Sequence, residues 1–216
     1  TLDSSEVPVL DGSARLFYNA IRDSGRHVQN VPRRAIKIIK PVSVSAAGRN
    51  ANLHPAIGEE YAAVIDFDHP LIGRQDSAIN LANGDFDNEI ADARTFGFLS
   101  DVQSLQKQGL ALGGGHDNAI VLDERTVRNS EGLRFENEFA RHKLLDAIGD
   151  LYLAGGPVIG RYSGECAGHA LNNALLHKLY ATPGAWEAVD IYSDIEVPRH
   201  NQRLFFVTDE RAIASA

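Results

Sequence analysis

One stretch of the sequence, RHKLLDAIGD at residues 141–150, restricts the fold more than any other. It spaces His142, Asp146 and Asp150 four residues apart, and at about 100° per residue an α-helix brings these side chains to within roughly 80° of one another. The other side of the same helix is apolar and carries Leu144, Leu145, Ile148 and Leu151. The pattern predicts an amphipathic helix over residues 136–154, which ends at a Gly-Gly-Pro sequence and packs against a core.

The polar stripe of this helix has two interpretations. Two side chains four residues apart on a helix can bind one metal ion, and a third can reach the groups around it. The solvated face of an ordinary amphipathic helix produces the same pattern. This stretch alone leaves both interpretations open.

The rest of the chain shows strand patterns first and helical patterns later. Alternating apolar residues predict strands, which we expect to be antiparallel, in AIKIIKPVSVSA (35–46), EYAAVIDFDHP (60–70) and SAINLANGDF (77–86). The last predicted helix is GHALNNALLHKLY (168–180), and we expect a polar, loose tail after it. Strands followed by helices indicate an α+β fold.

A boundary is predicted near the start of the chain. Residues 27–34, HVQNVPRR, are polar and include a proline, as is typical of a linker. The segment before them is too small to form a core of its own. We therefore predict a remnant of a first α+β domain in residues 1–30. A second, similar α+β domain with two layers of sheet and helices, including the helix with the polar stripe, is predicted in residues 31–216.

Composition excludes several classes of function. The formal net charge is −8, and no Lys/Arg cluster is available to neutralise phosphates, so we expect no nucleic-acid partner. No run approaches the ~18 apolar residues of a membrane span. The single cysteine, Cys166, excludes an internal disulfide. These observations predict a cytoplasmic protein without a membrane span.

Three further residues are candidates for chemistry. His169 opens a predicted helix, and Asp150 could accept a hydrogen bond from its ring. The hydroxyl of Thr95, in the sequence ARTFGF, could donate to a developing oxyanion. Lys143 lies at the edge of the polar stripe, where it could contact a phosphate as a point charge. Each has an ordinary alternative as a surface or packing residue.

These segments together resemble a known family. The sequences ADARTFGFLSDVQSLQKQGLALGGGHDNAIVLDE, LRFENEFARHKLLDAIGDL and AGHALNNALL closely resemble the UDP-3-O-acyl-N-acetylglucosamine deacetylases, zinc amidases of lipid A biosynthesis in Gram-negative bacteria. The early sequence VPVLDGSA also matches, so the resemblance covers essentially the whole chain. It implies an α+β protein with its active site between two domains, an acylated UDP-sugar as substrate, and Zn²⁺ as cofactor.

The resemblance also implies roles for individual residues. His142 and Asp146 match two zinc ligands, and Thr95 matches an oxyanion donor. His169 matches a general acid or electrostatic stabiliser, and Asp150 matches the carboxylate that orients it. The positions that contact substrate in the family are matched by Phe96 and Lys143.

One part of the family's site has no match. Its third zinc ligand, a histidine, and the adjacent glutamate that acts as general base lie upstream of the VPVLDGSA segment. We therefore expect residues 1–216 alone to bind zinc poorly and not to deacetylate. The missing N-terminal half would come from a longer or a separate chain. The alternative is a noncatalytic relative or binding module that keeps the surface for the sugar nucleotide or acyl chain.

Overall fold

The computed structural model describes residues 7–107, 109 and 113–191. The helices in these ranges are α1 (Arg15–Asp23), α2 (Leu99–Lys107), α3 (Glu138–Leu151) and α4 (His169–Ala181). The strands are β1 (Arg33–Ile38), β2 (Val42–Ala46), β3 (Arg49–His54), β4 (Glu59–Phe67), β5 (Gly73–Asn80), β6 (Phe96–Phe98), β7 (Ile120–Leu122), β8 (Val158–Glu165) and β9 (Trp186–Ile191). The fold is α+β, which confirms the predicted class. Among the described residues, no helix has the length and apolar character needed to cross a membrane.

The described residues pack as two compact units. The first contains residues from the ranges 7–26, 63–78 and 86–145, and the second contains residues 27–62, 79–85 and 146–191. Helix α3 passes from the first unit into the second after Leu145. This grouping by contacts differs from the predicted division into residues 1–30 and 31–216, which stays a prediction.

The first unit is built on a short parallel pair of strands. Strand β6 pairs with β7, with Phe96 opposite Ile120. Strand β7 contributes to a buried apolar cluster, which is formed by Ile65, Ile72, Ile120, Leu122, Phe139 and Ala140. The last two of these belong to α3, so the apolar side of that helix anchors it beside the start of β6.

The second unit contains a mixed sheet with the strand order β2-β3-β8-β1-β9. Strand β8 runs parallel to β1 and antiparallel to β3, and α4 packs against β2 and β3. Gly160 is required in β8 because a Cβ atom there would lie 2.7 Å from Ile38 Cγ1 and 2.9 Å from the His54 carbonyl oxygen. The carboxyl end of β8 leads directly into the turn before α4, which places His169 at a fixed point beside the sheet.

The structure confirms most of the predicted elements and corrects others. Strands β1, β2 and β4 overlap the segments predicted from alternation, and α3 with the 3₁₀ turn Tyr152–Ala154 fills the predicted helix. The strand predicted over residues 77–86 was wrong after Asn80: β5 ends there, and Leu81–Asn83 form a 3₁₀ turn in which the Asn80 side chain accepts from the Ala82 N–H. Strand β1 pairs in parallel with β8, so the expectation of antiparallel strands was wrong for that pair. Strand β3 was missed. Residues 186–191, expected in a loose tail, form β9 against β1, and the rest of that predicted tail lies outside the described residues.

Candidate active-site residues

Thr95 is held by its backbone from two sides. Its N–H donates to the Gly12 carbonyl oxygen at 2.8 Å, and its own carbonyl accepts from the Ile120 N–H at 2.7 Å. Gly12 has φ +81°, and a Cβ there would lie 2.3 Å from the Asn118 carbonyl oxygen and 3.1 Å from Thr95 Cγ2. The VPVLDGSA segment therefore needs its glycine in order to approach Thr95 closely, and this approach fixes the position of the threonine.

His142 is buried, with 7% of its surface exposed, and its ring is oriented by a backbone carbonyl. Its Nδ1 lies 3.0 Å from the Ala93 carbonyl oxygen. Because a carbonyl only accepts, Nδ1 carries the proton, and the lone pair of the neutral ring is on Nε2. Histidine ligands of metal ions typically have this arrangement, in which one nitrogen donates to a carbonyl and the other binds the metal.

A buried ion pair joins the Thr95 segment to α3. Arg94 Nε and the Arg94 backbone N–H donate to Glu138 Oε1 at 2.9 and 3.1 Å, and Glu138 is fully buried. The Arg134 backbone N–H donates to Glu138 Oε2 at 2.6 Å. Burial alone would lower the pKa of Arg94, but the hydrogen bonds and charges of Glu138 and Glu131 outweigh it and raise that pKa. Arg94 is therefore a permanent cation, and its ion pair ties the segment that carries Thr95 to Glu138, one helical turn before His142 on α3.

Phe96 and Lys143 lie together in the first unit. The Phe96 ring packs edge-on against Phe139 at 4.9 Å and Phe67 at 5.7 Å between ring centroids. The Lys143 ammonium lies 5.6 Å from the centroid of the Phe96 ring. A cation over an aromatic face is attracted by the ring's quadrupole, so Phe96 helps to place the charge of Lys143.

In the second unit, the His169 ring is hydrogen-bonded to the largely buried carboxylate of Asp150. Its Nδ1 lies 3.0 and 2.9 Å from the two Asp150 oxygens, so Nδ1 donates to Asp150. The His169 side chain is 68% exposed, whereas that of Asp150 is 17% exposed. His169 Nε2 lies 4.0 Å from Asp146 Oδ2. The hydrogen bond to Asp150 thus orients the His169 ring, and Nε2 lies on the side of Asp146.

Two residues behind Asp150 were not anticipated from the sequence. Asn172 Nδ2 donates to Asp150 Oδ2 at 2.9 Å, and the Tyr162 hydroxyl donates to Asn172 Oδ1 at 2.7 Å. Both residues are buried, at 2% exposure each. The available signal was the spacing of Asn172 three residues after His169 on one helix, which places both side chains on the same face.

The predicted site residues divide between the two units. Thr95, Phe96, His142 and Lys143 lie in the first unit, and Asp146, Asp150 and His169 lie in the second. The single helix α3 carries His142, Asp146 and Asp150 in its sequence, with Leu144, Ile148 and Leu151 buried as predicted. The catalytic, substrate-binding and metal-binding roles stay predictions. Within the part of the chain that the structure describes, no three His, Cys, Asp or Glu side chains cluster so that they could hold a metal ion.

Comparisons with known proteins identify the family. The sequence model of LpxC, UDP-3-O-acyl N-acetylglycosamine deacetylase, matches residues 1–181. A curated protein from Acidithiobacillus ferrooxidans, named UDP-3-O-acyl-N-acetylglucosamine deacetylase, is 49% identical over 199 residues. The match covers 91% of this chain and 65% of that relative, so the chain spans slightly less than two thirds of the relative's length. The resemblance seen in the motifs is confirmed, and the chain belongs to the UDP-3-O-acyl N-acetylglycosamine deacetylase family.

Proposed function

We propose that this chain contributes the zinc-binding helix and the oxyanion-stabilising groups of a hydrolase. Its substrate is UDP-3-O-acyl-N-acetylglucosamine, and the reaction removes the N-acetyl group in the committed step of lipid A biosynthesis. Family membership supports the substrate class. The observation that carries the proposal is the hydrogen bond between His142 Nδ1 and the Ala93 carbonyl, because it selects the tautomer with the lone pair on Nε2, an arrangement that is typical of histidine metal ligands.

The donor set on α3 fits Zn²⁺. An imidazole nitrogen and a carboxylate oxygen are common zinc ligands, and His142 and Asp146 are one turn apart on the same helix. A catalytic zinc ion uses three protein ligands, and we propose that the third, with the general base, comes from outside residues 1–216. When bound, the ion would polarise the acetamide carbonyl and make water a stronger nucleophile.

The residues of this chain then stabilise charge and transfer a proton. Water adds to the acetamide carbon, and negative charge develops on the carbonyl oxygen. The Thr95 hydroxyl and the Nε2–H of protonated His169 are the donors for that oxygen. Asp150 keeps the His169 ring in the required orientation. Cleavage of the C–N bond, with a proton delivered to the nitrogen, releases acetate and the free amine.

The remaining predicted residues are assigned to substrate binding. The chain is acidic overall, so an anionic UDP-sugar requires local positive charge. Lys143, placed over the Phe96 ring, supplies such a charge to a phosphate group. We propose a cytoplasmic enzyme that binds an acylated UDP-sugar and no nucleic acid.

The function is tested by acetate release from UDP-3-O-acyl-N-acetylglucosamine. The protein used carries these residues together with the family's upstream histidine and glutamate. His169→Ala is expected to lower kcat by about 10²–10⁴-fold, because a positioned proton donor is lost. His177→Ala, at an exposed position of the same helix, is the matched control and should retain full activity. Equal rates for both variants would remove His169 from the mechanism.

The noncatalytic alternative makes the opposite prediction. A binding module would hold the UDP-sugar without releasing acetate, and zinc would not be needed for that binding. Measuring substrate binding with and without a zinc chelator, in parallel with the acetate assay, separates the two functions. Binding that survives the chelator without any turnover would favour the module.

A further inference from the structure

We propose that Asn172 and Tyr162 are positioning residues, which act through Asp150 on the orientation of His169. This inference rests on the proposed function, since it concerns the histidine assigned to the oxyanion and the leaving nitrogen. Neither residue is in a position to touch the reacting atoms in this assignment, because Asp150 stands between Asn172 and His169.

The Asp150 carboxylate is held by two hydrogen-bond donors. Its Oδ2 accepts two hydrogen bonds, from His169 Nδ1 at 2.9 Å and from Asn172 Nδ2 at 2.9 Å. With the histidine as its sole partner, a carboxylate rotates easily about its last torsion and carries the ring with it. The second donor, on a side chain that is 2% exposed, removes this freedom. Asn172 therefore fixes the plane of the group that orients His169.

The side-chain amide of Asn172 has two ends of nearly the same shape. Only its nitrogen can donate to Asp150, and a reversed amide would place its oxygen against the carboxylate. The Tyr162 hydroxyl donates to Asn172 Oδ1 at 2.7 Å and so favours the productive orientation. Burial, followed by the nearby charge of Asp150, raises the pKa of Tyr162, so the phenol stays a donor. Donation runs in one direction, from Tyr162 through Asn172 to Asp150.

The local backbone makes room for this chain of hydrogen bonds. A Cβ atom at Gly164 would lie 2.4 Å from the Tyr162 hydroxyl oxygen and 3.0 Å from the Ala167 Cβ. The glycine in β8 thus leaves the space that the hydroxyl occupies. Tyr162 is also held by the Tyr61 ring at 6.1 Å between centroids. Tyr162, at the outer end of these hydrogen bonds, is consequently held in place as Asp150 is at the inner end.

The experiment follows the tautomer of His169 by ¹⁵N NMR at a pH where the ring is neutral, because a merely structural role would not change it. In the unsubstituted protein we expect the proton on Nδ1. Asn172→Leu should shift both ring nitrogens toward the values of a tautomer mixture, and Tyr162→Phe should cause a smaller shift in the same direction. The matched controls are Asn173→Leu and Tyr180→Phe, at exposed positions of the same helix. Neither control should change the spectrum.

Kinetics of the zinc-loaded enzyme provide the second readout. Asn172→Leu is expected to lower kcat by about 10–100-fold with little change in KM, as is typical when an outer partner of a catalytic group is lost. Circular dichroism checks that each variant is folded. If Asn172→Leu does not fold, the NMR spectrum and kcat of Tyr162→Phe test the inference instead. A wild-type spectrum in the folded variants would overturn the inference. Absence of acetate release from the unsubstituted enzyme would instead contradict the proposed function, while the tautomer result would still stand.

Discussion

Replacing His142 by alanine, in the protein that also carries the family's upstream histidine and glutamate, is expected to lower zinc affinity by at least about 100-fold and to abolish acetate release. Even the outer partners of metal ligands cost about 10–100-fold when they are removed, and a direct ligand contributes more. The loss also removes the ring that is held by the Ala93 carbonyl, so no neighbouring side chain takes over a prepared geometry. Metal analysis after dialysis, together with the acetate assay, measures both effects.

The control for this prediction is a histidine outside the proposed site. His177→Ala removes an exposed imidazole from α4 and should leave zinc stoichiometry unchanged. Asp146→Ala should behave like His142→Ala, because the two residues are assigned to the same ion. Stoichiometric zinc in both variants would show that the ion is bound elsewhere.

Replacing Glu138 by alanine is expected to lower the free energy of unfolding by about 3–5 kcal/mol. The variant leaves the Arg94 guanidinium, which is 2% exposed, without its buried partner. It also leaves the backbone N–H groups of Arg94 and Arg134 without the carboxylate oxygens that accept from them. Removing one member of a buried ion pair costs far more than the net contribution of the pair. Urea unfolding monitored by circular dichroism gives the value.

Glu131 offers a matched comparison, since its carboxylate also contacts Arg94, at 2.7 Å. The Glu131 side chain is 55% exposed, so water replaces most of the interaction, and Glu131→Ala should lower the free energy of unfolding far less than Glu138→Ala. Because Glu138 holds the segment that carries Ala93 and Thr95, its loss should also reduce zinc affinity. Similar stabilities for the two variants would contradict the assignment of Glu138 as the anchor.

The parts of the fold that follow from local pattern were predicted well. Helix α3 was predicted from the spacing of its apolar residues, and the Gly155 turn that ends it has φ +86°, as expected of a glycine after a helix. Strand β9 was missed because WEAVDI carries exposed acidic residues at Glu187 and Asp190 and lacks a regular apolar alternation, and its pairing partner, β1, is about 150 residues away in sequence. Strand β3, RNANLH, was missed because Ala51 and Leu53 are its only apolar residues, and its place between β2 and β8 is not visible in the local pattern.

In the candidate site, too, features of local spacing were predicted and contacts between distant segments were mostly not. The spacing of His142, Asp146 and Asp150 is a property of one helix and can be read from the sequence. The Arg94–Glu138 pair and the Asn172–Tyr162 contact join segments that are distant or on different elements, so spacing could not reveal them. Conversely, the pairing of Asp150 with His169 was predicted, because a carboxylate can accept from a histidine ring. In the structure His169 Nδ1 lies 2.9 Å from Asp150 Oδ2.

Anomalous X-ray scattering at the zinc edge tests the central claim most directly. The crystals should contain the protein that carries these residues together with the upstream histidine-bearing segment of the family, grown with zinc. We predict one strong anomalous peak at about 2.0–2.2 Å from both His142 Nε2 and an Asp146 carboxylate oxygen. A peak at any other position, or no peak between these two side chains in zinc-saturated crystals, would contradict the account.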